Sequence, residues 1–272
     1  MSVRSSSIGD LPSALDSEEL AERIRAARPA VFLDYDGTLT PIVDRPQDAV
    51  ISARMRDVVS NLAARCTVCV ISGRDRPVVQ ELMGIRDLVV AGSHGFDIWS
   101  PERGTIEHEA ASGFEDLLAR VTSQLQEELG SIEGAVVEPK RASVAAHYRL
   151  VAPAQRPEVQ RIVERVLEEH PEDLKVTPGK MVYELQPRLD WDKGRAVLHL
   201  IAALGLDGED VLPIYIGDDI TDEHAFEALT GRGLGIFVGD PQDPEVADRT
   251  TAADFRLGSI EEVEQFLDGL AR

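Results

Sequence analysis

Short apolar runs, each stopped by small or acidic residues, constrain this chain more than any other feature. Residues 30–33, 67–71, 88–91, 211–216 and 234–238 are too short for ordinary helices and carry few polar side chains. That is the pattern of strands buried on both faces. Helical spacing fills the intervals. Met55, Val58, Val59, Leu62 and Ala63 fall at i, i+3, i+4, i+7 and i+8 of a helix expected over 52–65. Further helices are expected over 192–204 and 223–229, and around Ile260, Val263, Phe266, Leu267 and Leu270. Strands alternating with helices predict an α/β fold, a Rossmann-like open parallel sheet.

From 104 to 186 the rhythm changes. One helical stripe (Phe114, Leu117, Leu118, Val121, Leu125, Leu129) precedes strand-like runs at 135–138 and 143–151. A second stripe (Val159, Ile162, Val163, Val166, Leu167) precedes runs at 174–177 and 181–186. This order predicts a small α+β domain inserted at 104–186 into a core made of 30–103 and 187–272. Residues 1–29 read as a loose polar arm with a short helix near 17–25.

The first apolar run ends in Asp34-Tyr35-Asp36-Gly37-Thr38. If the extended geometry persists, Asp34 and Asp36 share one side, and Gly37 then lets a ligand approach the backbone. Two carboxylates this close need a cation or a shared proton. A lone Asp-x-Asp-Gly reads more simply as a strand ending in a polar turn, but three later stretches reverse that. Ser72 follows the second run, Asp218 and Asp219 follow the run at 211–216, and Lys193 opens a helix. Open α/β sheets carry their sites at the carboxyl ends of strands, so these groups converge on one edge. Magnesium takes hard oxygen ligands. Asp34, Asp218 and the backbone carbonyl of Asp36 suit it, with Asp219 or Asp222 holding an outer-shell water. Ser72 and the amides after Asp36 would grip phosphate oxygens, and Lys193 would balance the negative charge. Asp34 would attack phosphorus, and Asp36 would protonate the leaving alkoxide and then activate water.

A net charge of −21 argues against nucleic-acid or acidic-membrane partners. No apolar run approaches the ~20 residues of a membrane span. The polar first ten residues lack the apolar segment of a signal peptide, so a cytoplasmic protein is expected. Oligomeric state is not legible. Only four lysines occur against twenty-four arginines. Lys140, Lys180 and Lys193 sit near polar or acidic residues, which invites specific roles, whereas Lys175 looks incidental. Cys66-x-x-Cys69 has a redox or zinc spacing, but it lies on a strand, where i and i+3 face opposite sides, so core packing is expected.

With Asp34-x-Asp36-Gly37-Thr38, Ser72, Lys193 and Gly217-Asp218-Asp219 in place, the chain resembles the haloacid dehalogenase-like (HAD) phosphatases. More narrowly it is similar to the trehalose-6-phosphate phosphatases. Leu33 to Ile42, Ser72-Gly73-Arg74, Gly92-Ser93-His94-Gly95, Glu138-Pro139-Lys140, His147-Tyr148-Arg149, Asp192-Lys193-Gly194 and Gly217 to Glu223 carry that likeness. The resemblance implies a magnesium-dependent phosphatase whose partner is a small-molecule sugar phosphate, with a mobile cap over a HAD-like core. It implies that Glu138, Lys140 and Glu184 meet sugar hydroxyls, that Arg74 supports the phosphate loop, and that His94 and Arg149 also serve the substrate. Other sugar phosphates (sucrose, mannosylglycerate or glucosylglycerol phosphate) remain open, as does a silent phosphosugar-binding relative. Ile220 departs from the charged residue often found there.

Overall fold

The carboxylates lie where they do because of the order in which the strands join the sheet. The structure, a computed structural model, describes residues 6–43, 45, 48–106, 113–179, 181–243, 246 and 249–272. The chain divides into two units, Met1–Ile106 with Trp191–Arg272, and Glu107–Asp190.

In chain order, the first unit begins with β1 (Ser6–Ser7), α1 (Glu18–Arg25), β2 (Arg28–Leu33), α2 (Ala53–Ala63), β3 (Thr67–Ile71) and α3 (Arg76–Met83). It continues through β4 (Val89–Gly92), β5 (Asp97–Ser100) and β6 (Gly104–Ile106). The second unit holds α4 (Glu115–Leu129), β7 (Val136–Pro139), β8 (Val144–His147), α5 (Arg156–Glu169), β9 (Leu174–Gly179) and β10 (Val182–Pro187). The first unit resumes with α6 (Lys193–Leu204), β11 (Val211–Gly217), α7 (Ile220–Leu229) and β12 (Leu234–Val238). It closes with β13 (Thr250–Thr251), β14 (Phe255–Leu257) and α8 (Ile260–Leu270).

The first unit's main sheet has eight strands in the order β14-β12-β11-β2-β3-β4-β5-β6. It is parallel from β14 to β4. Beyond β4 an antiparallel β5–β6 hairpin extends the edge. The chain leaves β2 on one side for β3 and returns on the other to β11, so the strand order reverses beside β2, where open sheets form a crevice.

Period-two alternation packs both faces. Val31, Leu33, Val68 and Val70 join Met55, Leu62, Val263 and Leu267 in one core layer. Ala30, Phe32, Cys69 and Tyr215 join Val197, Leu200, Phe226 and Leu229 in the other. Cys69 is buried in the second layer, while Cys66 packs against the first, and both thiols are free. Burial pushes the Cys66 thiol up to about 11, which suits packing rather than redox chemistry.

The loose arm expected at 1–29 is corrected over the described residues. β1 pairs antiparallel with β13, Ile8 is fully buried, and Arg256 donates to the carbonyls of Pro12 and Leu11. α1 is capped by Ser17, whose hydroxyl accepts from the Leu20 amide. The expected insert bounds also shift. Residues 104–106 form β6 of the core sheet, so the second unit is Glu107–Asp190. Its four-stranded antiparallel sheet runs β7-β8-β10-β9. Val144, Ala146 and Leu185 turn toward α4 and α5 in their own core. Lys180 lies outside the described residues. Among the described residues, no helix is long and apolar enough to cross a membrane.

Candidate active site

The even-numbered positions of β2, Ala30 and Phe32, face the layer that α6 and α7 cover. Asp34 continues that alternation, and its amide donates to the Ile216 carbonyl of β11 at 2.9 Å. The side chain is therefore delivered toward the first turns of α6 and α7. Lys193, the first residue of α6, places Nζ 2.6 Å from Asp34 Oδ1 and 2.7 Å from Asp222 Oδ1. All three side chains are almost wholly buried, at 7% exposure or less. The two helix starts approach closely because residue 194 is glycine. A Cβ there would lie 2.2 Å from the His224 carbonyl oxygen.

Asp222 is saturated. Its Oδ1 accepts from Lys193 and, at 2.6 Å, from the Tyr215 hydroxyl. Its Oδ2 accepts from the Asp218 and Asp219 amides at 3.0 Å and 2.9 Å. A carboxylate has about four acceptor sites, so Asp222 has nothing left to offer without giving up a bond. Asp34, Asp218 and Asp222 bring carboxylate oxygens within 4.8 Å of one another. On this count, Asp34 and Asp218 keep acceptor sites open for a cation, whereas those of Asp222 are filled. Asp219 does not join them. It is exposed, and its carboxylate caps α7 by accepting from the Ile220 amide. Asp219 thus offers no oxygen to this cluster, although it lines the same cleft as Asp34 and Asp218.

Three acids share this region with one ammonium, and the electrostatics follow. Burial raises the Asp34 carboxyl well above the usual range. Lys193 opposes this, and the charges of Asp222 and Asp218 add to it. Burial, then Asp222, pushes Asp218 up to about 7. Burial alone would lower the Lys193 pKa, but Asp34 and Asp222 outweigh it and hold the ammonium charged. Burial also raises the Tyr215 phenol, with Asp222 adding to it, so Tyr215 stays a donor. Sequence reasoning missed Tyr215. Its signal was the lone hydroxyl in an otherwise apolar strand, since a buried tyrosine needs a partner.

Tyr35 keeps the alternation, packing in the layer of Val31 and Leu33, but β2 ends at Leu33 and the chain then folds into a tight turn in which the Gly37 amide donates to the Thr40 carbonyl. Asp36 meets Arg74 instead, through Nε–Oδ2 at 2.7 Å and Nη2–Oδ1 at 2.6 Å. Gly37 has φ +86°, and a Cβ on it would lie 2.1 Å from Asp218 Oδ2. Gly37→Ala should therefore lower the melting temperature. The left-handed backbone alone costs about 1–2 kcal/mol, and Asp218 would also be displaced. An unchanged melting curve would refute this account.

After β3, buried Ser72 accepts from the Arg74 amide through Oγ at 3.1 Å, and the Ser72 carbonyl accepts from the His94 amide. Ser93 and His94 both have left-handed backbones, φ 51° and 57°. Asp34, Asp36, Gly37, Arg74, His94, Lys193 and Asp218 line one cleft of about 1030 Å³. Ser72 and Asp222 are buried and do not line it.

The remaining candidates belong to the second unit. Glu138 and Glu184 both stand opposite Ala145 in the register and so share a sheet face. Glu184 accepts from Lys140 Nζ at 3.2 Å and Ser143 Oγ at 2.7 Å. Glu138 Oε2 is 2.7 Å from His147 Nε2. Arg149 is exposed in the turn after β8.

The chain matches the trehalose-phosphatase family over residues 32–260. It is 40% identical over 266 residues to a trehalose-phosphate phosphatase of Mycobacterium tuberculosis, covering 97% of this chain and 67% of that protein. It is also 40% identical to the corresponding Mycobacterium marinum protein over 265 residues, with the same coverage. Among solved structures, Aspergillus fumigatus trehalose-6-phosphate phosphatase superposes with a TM-score of 0.65 at 31% identity, covering 96% of this chain and 98% of that one. The C-terminal domain of the Candida albicans enzyme superposes with a TM-score of 0.74 at 24% identity, covering 96% and 98%, which bears on the fold alone.

Proposed function

This chain belongs to the trehalose-phosphatase family, and on that premise we propose that it hydrolyses trehalose 6-phosphate to trehalose and phosphate through an aspartyl-phosphate. The supporting observation is the buried Asp34–Lys193–Asp222 cluster at the end of β2, with contacts of 2.6 Å and 2.7 Å. Lys193 takes Asp34 Oδ1 and leaves Oδ2 as the attacking oxygen. A bond forms from Oδ2 to phosphorus as the bond from phosphorus to the sugar oxygen breaks, and Asp36 gives that oxygen its proton. Asp36 then takes a proton from water, whose oxygen attacks phosphorus and frees Asp34 and phosphate. Ser72 and the Thr38 amide, whose neighbours in the turn already donate to backbone carbonyls, hold the phosphoryl oxygens.

The donor set fits magnesium, which favours hard oxygens and keeps several waters. Asp34, Asp218 and the Asp36 carbonyl would hold it, with Asp222 fixing their frame. Bound there, magnesium supplies positive charge that offsets the carboxylates and the phosphoryl group. Recognition of the sugar falls to Glu138, Lys140 and Glu184, which supply acceptors and a donor for hydroxyls.

The test is phosphate release from a panel of sugar phosphates. Trehalose 6-phosphate should be preferred. Glu138→Ala or Glu184→Ala should lower kcat/KM for it by roughly ten- to a hundredfold, the worth of one charged hydrogen bond, and barely affect p-nitrophenyl phosphate. Preference for sucrose 6-phosphate would refute the substrate, and equal losses on both esters would refute the sugar contacts.

A further inference from the structure

We propose that Arg74 is a positioning residue for proton transfer, a two-point clasp that fixes and then pivots Asp36. The inference rests on reading Asp36 as the general acid and base.

The guanidinium meets both Asp36 oxygens, Nε to Oδ2 at 2.7 Å and Nη2 to Oδ1 at 2.6 Å. This is the bidentate geometry that fixes direction as well as distance. The pair is partly screened from water, with side-chain exposures of 16% for Arg74 and 36% for Asp36. Arg74 is itself held. Its amide donates to Ser72 Oγ at 3.1 Å and its carbonyl accepts from the Ser93 amide at 2.7 Å. Its guanidinium lies 5.7 Å from the centre of the Tyr35 ring, within cation–π range. That ring is fully buried, and its hydroxyl donates to the Ala49 carbonyl at 2.7 Å.

Asp36 sits on a turn, where the backbone alone does not fix its carboxylate. Without the clasp it would sample several rotamers, and few of them would reach the leaving oxygen. The clasp also dictates how Asp36 works. A protonated carboxyl oxygen is a donor that keeps only part of its acceptor capacity, and both Arg74 N–H groups facing Asp36 are donors, so protonation weakens the bond from Arg74 to the oxygen that takes the proton. That weakened bond is the one that yields as Asp36 carries the proton, while the bond to the other oxygen remains as the pivot. Arginine can do this and lysine cannot, because an ammonium is a point charge without the planar fork.

The experiment measures kcat/KM of Arg74→Ala and Arg74→Lys on trehalose 6-phosphate and on p-nitrophenyl phosphate, each also in an Asp36→Asn background. The two backbone anchors survive both substitutions. A sugar alkoxide needs a proton to leave, whereas p-nitrophenolate does not. Both variants should lose about ten- to a hundredfold on trehalose 6-phosphate, the scale of a misplaced catalytic group, and less than about threefold on the aryl ester. In the Asp36→Asn background, removing Arg74 should add less than about threefold, because residues acting as a unit are not additive. Equal losses on both esters, full rescue by lysine, or losses that multiply with Asp36→Asn would overturn the proposal and make Arg74 a phosphate-binding group. Near-normal turnover of trehalose 6-phosphate by Asp36→Asn alone would instead remove the acid/base reading itself.

Discussion

Asp34→Asn should lower phosphate release by on the order of 10⁴-fold or more, the scale seen when a nucleophile is removed, and should leave a chain more stable than the parent. The first effect is chemical. Asparagine keeps the shape of aspartate but cannot form the acyl phosphate bond. The second effect follows from the surroundings of Asp34. Its carboxyl is raised well above the usual range by burial, which Lys193 opposes and the Asp222 and Asp218 charges reinforce. In metal-free neutral buffer the ionised side chain therefore costs folding energy, and a neutral isostere removes that cost. Lys193 keeps Asp222 at 2.7 Å, so the replacement does not strand the ammonium. Active sites commonly hold stability back in this way. Phosphate release and thermal unfolding on the same sample test both halves. Near-normal turnover would end the nucleophile assignment. A fall in stability would mean that the bond from Lys193 to Asp34 outweighs the repulsion.

The sequence revealed the central strands because burial on both faces leaves a local trace. β2, β3, β11 and β12 are short and almost wholly apolar, and their alternation tells which side chains meet which helices. The edge elements leave no such trace. β1 is two serines whose partner, β13, lies near the far end of the chain. β6 reads as loop until its pairing with β5 is seen. α7 begins at Ile220 rather than 223, because Asp219 and Asp222 form a capping box. In the sequence, that same cluster of acids reads as a metal-binding loop.

The site was legible as a set of strand ends and illegible as a set of partners. Spacing marks Asp34, Ser72, Lys193 and Asp218 as neighbours at one sheet edge. It does not say that Asp222 is filled by four donors, that Asp219 caps the start of a helix, or that Asp36 bonds to Arg74. Those outcomes depend on where the helices begin, on one tyrosine hydroxyl and on a turn at Gly37, which periodicity does not encode.

Chelation of divalent cations should stop turnover, magnesium should restore it, and the chelated chain should lose stability as pH rises. Asp218 titrates near 4 in an unfolded chain and is pushed up to about 7 by burial and by Asp222. Asp34 is shifted in the same direction. Between these values the folded chain binds more protons than the unfolded one, so unfolding free energy falls with increasing pH. The contribution is fully present below about pH 4, is lost as pH rises through about 7, and levels off above that. At about 1.4 kcal/mol per pKa unit, its size is on the order of a few kcal/mol. A cation held by Asp34 and Asp218 competes with those same protons. Magnesium should therefore stabilise the chain little near pH 5 and much more near pH 8, by an amount that grows with its concentration. Other carboxylates titrate in the same range, so the informative quantity is the difference between the parent and Asp218→Asn, which should flatten both the pH slope and the magnesium response. Identical pH slopes in the two chains would remove Asp218 from the cation site. Full turnover in chelated buffer would remove the cation from the reaction.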